Sequence, residues 1–295
     1  MTINESSPEK CLIIGCGDIG QRIARQLAPL GYQVTGLRRS PTADLPYLHY
    51  RQGDVGNPEQ LHPLLAEGFD VIVISMTPDE RSDAGYQRAY VDTCQNLVNG
   101  LQQPRSQQKP RLILFVSSSA VYAQQDGNWV DESSPCEPDS FSGKRLLEAE
   151  AVIAHSGFAH TIVRCSGIYG PGRNRLIEQV LRKRASASPH FTNRIHAEDC
   201  AGFMVHLIEQ AKHSTIEPIY IATDSCPTPM VEVVSWIAGE LGIADFLCAD
   251  AVNERGNKRL SNRLMLATGY RLGYEDFRQG YGEMLEGFKA IKNPA

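Results

Sequence analysis

Short, uninterrupted apolar runs alternate with amphipathic helical stretches over the first two thirds of the chain. The clearest runs are 10–14 (KCLII), 71–75 (VIVIS) and 112–117 (LILFVS). A run without apolar–polar alternation is typical of a strand covered on both faces, as in a parallel sheet. Strands that alternate with helices predict repeated βαβ units. The sequence therefore predicts an α/β fold with a doubly wound parallel Rossmann sheet.

The regular alternation fades after Gly172, and the pattern beyond Asp224 is mainly helical. We predict a Rossmann domain over residues 1–225, with residues 173–190 inserted into a second lobe. Residues 226–295 are predicted to form this small, mostly helical C-terminal lobe. A final unit of about seventy residues fits the usual range of domain sizes.

Composition narrows the class of partner. The net charge is −5, without the basic balance that marks nucleic-acid binding, and no apolar run reaches the length of a membrane span. The eight cysteines form no Cys-x-x-Cys pair, and no histidine pair has a zinc spacing, so free thiols and no metal site are predicted. The polar N-terminus lacks signal-peptide character, so we expect a cytoplasmic protein.

A glycine-rich turn joins the first predicted strand to the first predicted helix. Residues 15–20 read Gly-Cys-Gly-Asp-Ile-Gly, which matches G-x-G-x-x-G. In this setting the first glycine permits a tight turn, the second lets the backbone approach a pyrophosphate, and the third lets helix and strand pack closely. The predicted cofactor contacts here are Gly15, Gly17, Asp18, Ile19 and Gly20. A turn without a ligand is the alternative.

The end of the second predicted strand indicates which dinucleotide binds. NAD-binding folds place an acid there to hold the ribose 2′-hydroxyl, whereas this chain has Arg38 and Arg39. A guanidinium can hold a 2′-phosphate through charge-assisted hydrogen bonds, so we predict NADP rather than NAD. Solvated surface arginines are the alternative. Further predicted cofactor contacts, after the third and fourth strands, are Asp54, Ser75, Met76 and Thr77.

Five further segments carry the polar and charged side chains that chemistry needs. In chain order they are residues 117–122 (SSSAVY), 140–144 (SFSGK), 164–173 (RCSGIYGPGR), 194–199 (RIHAED) and 258–262 (KRLSN). With the glycine turn, they resemble the NAD-dependent epimerase/dehydratase family, which consists of extended short-chain dehydrogenases/reductases. The glycine turn, the KRLSN segment and the modest length resemble its atypical YeeZ-like branch. The resemblance implies an oxidoreductase or epimerase/dehydratase that acts on a hydroxyl or carbonyl carbon of a small-molecule substrate, and it implies a homodimer. We predict that the Rossmann domain, residues 1–225, binds the cofactor and that residues 226–295 form the substrate lobe.

The resemblance also implies catalytic positions. Ser118 matches the family's assisting serine or threonine, and Lys144 matches the lysine of its Tyr-x-x-x-Lys pair, which holds the nicotinamide ribose. The tyrosine position of that pair is Ser140. A serine hydroxyl is a far weaker acid than a tyrosine beside a lysine. Three hypotheses stay open: Tyr122 or Tyr169 supplies the hydroxyl, the reaction needs no tyrosine, or the chain is a catalytically silent NADP-binding sensor or scaffold.

Substrate contacts are predicted from the same segments. The candidates are Ser119, Arg173, Arg175 and His196. A guanidinium matches a phosphate or carboxylate, so Arg173 and Arg175 are candidates for an anionic substrate group, with surface ion pairs as the alternative. His196 either faces the substrate or caps the helix that follows it.

Overall fold

The computed structural model describes residues 7–40, 43–104, 109–244, 247–248 and 256–292. The strands are β1 (Lys10–Ile14), β2 (Gln33–Arg38), β3 (His49–Gln52), β4 (Val71–Ile74), β5 (Leu112–Ser118), β6 (Asn128–Val130), β7 (His160–Cys165), β8 (Gly167–Tyr169), β9 (Ala185–Ser186), β10 (Phe191–Thr192), β11 (Arg194–His196), β12 (Ile219–Ala222), β13 (Thr228–Pro229), β14 (Leu247–Cys248) and β15 (Lys258–Leu260).

The α-helices are α1 (Asp18–Leu27), α2 (Pro58–Leu65), α3 (Asp83–Tyr86), α4 (Thr93–Leu101), α5 (Phe141–Ala154), α6 (Arg175–Leu181), α7 (Ala197–Gln210), α8 (Met230–Glu240), α9 (Arg263–Ala267) and α10 (Phe277–Lys292). Short 3₁₀ turns cover Ala28–Leu30 and Ser119–Val121, and a π-helical turn, Gln87–Asp92, joins α3 to α4. Within the described residues, no helix combines the length and the apolar character needed to cross a membrane.

The central sheet has the strand order β12-β7-β5-β4-β1-β2-β3 in the described part of the chain. β1 pairs in parallel with both β2 and β4, and the chain reverses its winding direction at this point. β1 and β4 are buried on both faces, which explains their uninterrupted apolar sequences. The predicted doubly wound parallel α/β fold is confirmed. Ligands of such sheets bind at the carboxyl ends of the strands, beside the reversal.

Two compact units divide the chain, and each is assembled from separate segments. Unit 1 comprises residues 1–121, 136–164 and 201–220, and unit 2 comprises residues 122–135, 165–200 and 221–295. The division into two continuous functional domains, residues 1–225 and 226–295, stays a prediction. The units themselves are interleaved along the chain, because two earlier segments join the C-terminal residues in unit 2.

Unit 2 combines helices with short strand pairs. Residues of α6, α8 and α10 share one apolar core that includes Ile177, Val233, Ile237 and Phe277. The strand pairs within the described residues are β6–β15, β8–β11 and β9–β14, which are parallel, and β10–β13, which is antiparallel. These pairs were not predicted, because strands of two or three residues are too short for a hydrophobic period to appear in the sequence.

Candidate functional site

The turn after β1 requires glycine at its first position. Gly15 has a φ of +74°, and a Cβ there would lie 2.5 Å from the Met76 Sδ and 2.7 Å from the Ser75 carbonyl oxygen. Gly17 differs, because its φ is −90° and the nearest atom to an added Cβ is 3.9 Å away. The space beside Gly17 is therefore open, as the close approach of a pyrophosphate requires.

The N-terminus of α1 follows this turn directly. Its first intrahelical hydrogen bond runs from the Gln21 N–H to the Gly17 carbonyl oxygen, at 2.9 Å. The backbone N–H groups of Ile19 and Gly20 precede that bond and have no acceptor within the helix. Gly20 is also packed tightly, since an added Cβ would lie 3.0 Å from Ile13 Cγ2. The turn and the helix thus have the form that binds a phosphate.

A cavity of about 690 Å³ opens beside the turn, and all the residues that line it belong to unit 1. Of the predicted cofactor contacts, seven line this cavity: Gly15, Gly17, Arg38, Arg39, Asp54, Met76 and Thr77. The other predicted contacts are Asp18, Ile19 and Gly20 in α1, Ser75 after β4, and Lys144 in α5, and they do not line it. The cavity size and the open glycine fit the phosphate-bearing part of a dinucleotide.

The two predicted arginines have different surroundings. Arg38, at the end of β2, is half-buried, and its guanidinium lies 5.7 Å from the Tyr50 ring centroid. Arg39 is exposed and forms a two-pronged ion pair with Asp79, in which Nη1 donates to Oδ2 at 2.6 Å. Hydrogen bonding to Asp79 raises the pKa of Arg39. The ion pair with Asp79 supports the alternative that Arg39 is a solvated surface arginine. Arg38 is therefore a better candidate than Arg39 for holding a phosphate.

One wall of the cavity was not predicted as part of a cofactor site. Arg88, Asp92 and Asn96 line it from the π-helical turn and α4. Their spacing of four residues puts three polar side chains along one side of a helical stretch. This spacing of polar residues was the feature of the sequence from which this wall could have been predicted. The Asn96 amide donates to the Val55 carbonyl oxygen at 3.1 Å and so links this wall to the loop after β3.

Ser118 ends β5, and a buried ion pair supports the strand beneath it. The Ser118 Oγ accepts a hydrogen bond from the Ala120 N–H at 3.2 Å. Its neighbour Ser117 donates to Glu150 Oε1 at 2.5 Å, and Arg164 Nη2 donates to Glu150 Oε2 at 2.6 Å. Glu150 and Arg164 are both buried, and they connect α5 and β7 to β5. This network fixes the position of α5 relative to the strand that carries Ser118.

Ser140 is the N-cap of α5. Its Oγ accepts the Gly143 N–H at 3.2 Å and lies 3.1 Å from the Ser142 Oγ. Gly143 packs against the turn after β5, where an added Cβ would lie 2.5 Å from the Ala120 carbonyl oxygen. The structure therefore brings Ser118 and Ser140 to neighbouring backbone segments. Lys144 is exposed and makes no side-chain hydrogen bond or ion pair within the described residues.

The two candidate tyrosines belong to unit 2, and both are buried. The Tyr122 carbonyl oxygen accepts a hydrogen bond from the Lys258 Nζ at 2.8 Å. The Tyr169 ring stacks on Tyr281 at 4.6 Å, and its hydroxyl donates to the Asp276 carbonyl oxygen at 3.4 Å. Burial raises the pKa of Tyr169, which makes it a weaker acid. These surroundings do not favour Tyr169 as a proton donor, and both roles stay predictions.

His196 caps the helix that follows it. Its Nδ1 accepts the Glu198 N–H at 3.4 Å at the start of α7, and its ring lies 3.7 Å from the Tyr274 ring. Asp199 anchors the segment before α10, because it accepts the N–H groups of Gly273 at 2.7 Å and Tyr274 at 2.9 Å. The capping alternative for His196 has this support, while a role towards substrate stays a prediction.

The remaining predicted substrate contacts are spread over both units. Ser119 lies in the 3₁₀ turn after β5 in unit 1, whereas Arg173 and Arg175 lie in unit 2 beside the start of α6. Arg173 is half-buried, and its N–H donates to the Gly170 carbonyl oxygen at 2.9 Å. Arg175 is exposed and lines a second, smaller cavity.

Comparison with known proteins identifies the family to which the chain belongs. The model of the NAD dependent epimerase/dehydratase family matches residues 11–221. The protein YeeZ of Escherichia coli (strain K12) is 31% identical over 216 residues, which cover 69% of this chain and 74% of YeeZ. The chain belongs to the NAD-dependent epimerase/dehydratase family. The predicted resemblance to that family is confirmed.

Solved structures agree with this assignment. A protein from Methylobacillus flagellatus, provisionally described as an NAD-dependent epimerase/dehydratase, is 38% identical with a TM-score of 0.82, and the match covers 96% of this chain and 100% of that one. The dTDP-glucose 4,6-dehydratase of Bacillus anthracis str. Ames, in complex with NAD, is 18% identical with a TM-score of 0.78, and the match covers 96% of this chain and 97% of that one. The second likeness concerns the fold alone.

Unit 2 of this epimerase/dehydratase family member contains a buried carboxyl group that forms no ion pair with any described residue. Asp224 Oδ1 accepts the Cys226 N–H at 3.2 Å, whereas Oδ2 has no hydrogen-bond partner among the described residues. Burial raises the pKa of Asp224 to about 7. The Arg194 charge lowers this pKa, and the charges of Asp276 and Asp199 raise it.

The raised pKa of Asp224 predicts a pH-dependent stability. Because the folded-state pKa of about 7 exceeds the ordinary aspartate pKa of 3.8, the stabilising contribution is complete below pH 3.8 and is lost as pH rises through 7. From pH 4.5 to 7.5 the wild type should lose about 3 kcal/mol of unfolding free energy that the Asp224→Asn variant keeps. Denaturant unfolding at both pH values measures this, with the exposed Asp126→Asn as control. Parallel pH profiles for wild type and Asp224→Asn would contradict the prediction.

Proposed function

We propose that this chain is an NADP-dependent oxidoreductase or epimerase/dehydratase that acts on a hydroxyl or carbonyl carbon of a small molecule. The observation that carries the NADP preference is Arg38, which lines the cofactor cavity at the end of β2, where an acid would select NAD. When bound, the nicotinamide would supply or accept a hydride. Relatives in this family include NAD-bound enzymes of similar fold, so NAD is the competing cofactor.

The chain's own residues would bind and orient the reactants. The glycine turn and the α1 N-terminus would hold the pyrophosphate, and Arg38 would hold the 2′-phosphate. The Ser118 hydroxyl would polarise the substrate oxygen. The exposed Lys144 ammonium would reach ribose hydroxyls, since no described neighbour holds it in place. A homodimer, which the resemblance implies, and a cytoplasmic location are part of the proposal.

A second candidate function is a catalytically silent NADP-binding sensor or scaffold. The observation that favours it is Ser140, whose hydroxyl already accepts a backbone hydrogen bond as the cap of α5. A capping serine cannot also act as a strong acid without a dedicated base. Under this alternative the protein would bind NADPH tightly and convert no substrate.

One assay separates the two functions. NADPH oxidation is followed with a panel of aldehydes, ketones and nucleotide sugars, and the enzyme proposal expects turnover with at least one class. Tight NADPH binding with no turnover across the panel favours the sensor instead. Activity gained by Ser140→Tyr would mean that the proton donor was lost rather than moved to another residue.

The cofactor preference predicts unequal effects of the two arginines. Arg38→Gln should weaken NADPH binding roughly tenfold or more and leave NADH binding nearly unchanged, because a charge-assisted contact to the 2′-phosphate is lost. Arg39→Gln should have a smaller effect, because Asp79 already holds that guanidinium. Isothermal titration measures both, with Arg51→Gln on β3 as a control outside the cavity. Equal losses of NADPH and NADH affinity in Arg38→Gln would contradict the role of Arg38.

A further inference from the structure

A second cavity in the described part of the chain is lined mainly by arginines. It measures about 250 Å³, belongs to unit 2, and is bordered by Arg175, Glu178, Gln179, Arg182 and Arg184. No residue that lines the cofactor cavity contributes to it. Its volume is near the lower end of small-molecule sites, roughly 300 Å³, so it suits a phosphate-sized group rather than a whole dinucleotide.

The local fold holds these side chains on one surface. Residues 175, 178, 179 and 182 are spaced by three, four and seven positions, so they share one face of α6. The opposite face anchors α6, because its residues Ile177 and Val180 are fully buried in the core of unit 2. The arginine face therefore projects from a rigid helix.

An unusual backbone turn adds the third arginine. Lys183 has a φ of +53° and is the sole non-glycine residue with positive φ among the described residues. This turn lets the Arg184 N–H donate to the Gln179 carbonyl oxygen at 2.8 Å, which closes the end of α6 in the manner of a Schellman motif. The turn thereby places Arg184 at the cavity. Glycine is the residue usually found at such a positive φ, and this chain has Lys183 there.

Positive charge exceeds negative charge in this cavity, although the whole chain carries −5. Three arginines line it with one glutamate, and Arg182 Nη2 lies 3.8 Å from Glu178 Oε2. Such an exposed pair contributes little stabilising energy, so Glu178 does not hold Arg182 in place. Arg175 and Arg184 form no ion pair with any residue that the structure describes. A guanidinium group matches the geometry of phosphate oxygens, because it offers them paired N–H donors.

We propose that the cavity lined by Arg175, Arg182 and Arg184 binds the phosphate group of a small phosphorylated ligand. The site does not rest on the proposed NADP function, since its residues belong to a different unit from those of the cofactor cavity. The ligand class is a phosphomonoester or diphosphate, because three guanidiniums against one carboxylate leave two positive charges to be matched.

Titration of the full chain with inorganic pyrophosphate at low ionic strength tests this site. The wild type should bind pyrophosphate, and the double variant Arg175→Gln/Arg184→Gln should bind it at least about tenfold more weakly. The exposed Arg271→Gln, also in unit 2, is the matched control and should bind like the wild type. Both arginines are exposed, so the double variant should keep its melting temperature.

Three results would overturn the proposal. Unchanged pyrophosphate binding in the double variant would locate the anion elsewhere, for example at the glycine turn. An equal loss in Arg271→Gln would mean general attraction to a charged surface. A parallel loss of NADPH affinity in the double variant would mean that these arginines act on the cofactor site, whereas failure of NADPH binding in every variant would count against the proposed function alone.

Discussion

Replacing Gly17 with alanine should reduce NADPH affinity roughly 100-fold while the protein stays folded. The added Cβ would meet no atom of the protein closer than 3.9 Å, and the negative φ suits any residue. The methyl group would instead occupy the space through which the backbone approaches the pyrophosphate. Titration with NADPH measures the affinity, and the melting temperature reports the fold.

Gly15→Ala is the matched comparison in the same turn. Here a Cβ would lie 2.7 Å from the Ser75 carbonyl oxygen, and the left-handed φ of +74° is strained for alanine. The expected result is a loss of about 2 kcal/mol or more of unfolding free energy. Wild-type NADPH affinity in Gly17→Ala would contradict the assignment of the turn as the phosphate site. A loss of stability as large as that of Gly15→Ala would contradict the open space beside Gly17.

Breaking the buried Glu150–Arg164 pair should cost roughly 3–5 kcal/mol of unfolding free energy. Both side chains are about 4% exposed, so the remaining partner in Arg164→Met would be a buried charge without a counter-ion. The Ser117 hydroxyl would also keep its bond to a carboxylate that had lost its cation. Denaturant unfolding of Arg164→Met and Glu150→Gln measures the loss.

An exposed pair on the same helix provides the control. Arg145 in α5 contacts Asp83 at 2.8 Å, and the Asp83 side chain is 54% exposed. Arg145→Gln should therefore change the unfolding free energy by about 1 kcal/mol or less. The combined variant Glu150→Leu/Arg164→Met should recover part of the loss, because no charge is left buried. Equal losses of unfolding free energy for the buried and the exposed pair would contradict the prediction that burial makes the Glu150–Arg164 pair the more costly one to break.

Sequence patterns predicted the fold because burial on both faces leaves uninterrupted apolar runs, as in β1 and β4. The glycine turn could also be predicted, since G-x-G-x-x-G followed a predicted strand and opened a predicted helix. The internal structure of the helical stretch 84–101 could not be predicted. That stretch is divided by the π-helical turn Gln87–Asp92, and local composition gives no signal for such a turn.

Long-range partners explain what the sequence could not supply. Arg39 and Asp79 are forty residues apart, so the strand pattern that singled out both arginines could not show that one is held by a carboxylate. Ser140 looked like a missing tyrosine, but its local role as the cap of α5 depends on where the helix begins. The sequence could not decide whether His196 faces the substrate or caps the next helix. Its hydrogen bond from the Glu198 N–H supports the capping role.

The central claim is that the cavity beside the glycine turn binds NADP in preference to NAD. Isothermal titration of the wild-type chain with NADPH and NADH, under identical buffer conditions, tests it most directly. The account predicts that NADPH binds at least about tenfold more tightly, because Arg38 would contact the 2′-phosphate that NADH lacks. Equal affinities, or tighter binding of NADH, would contradict it.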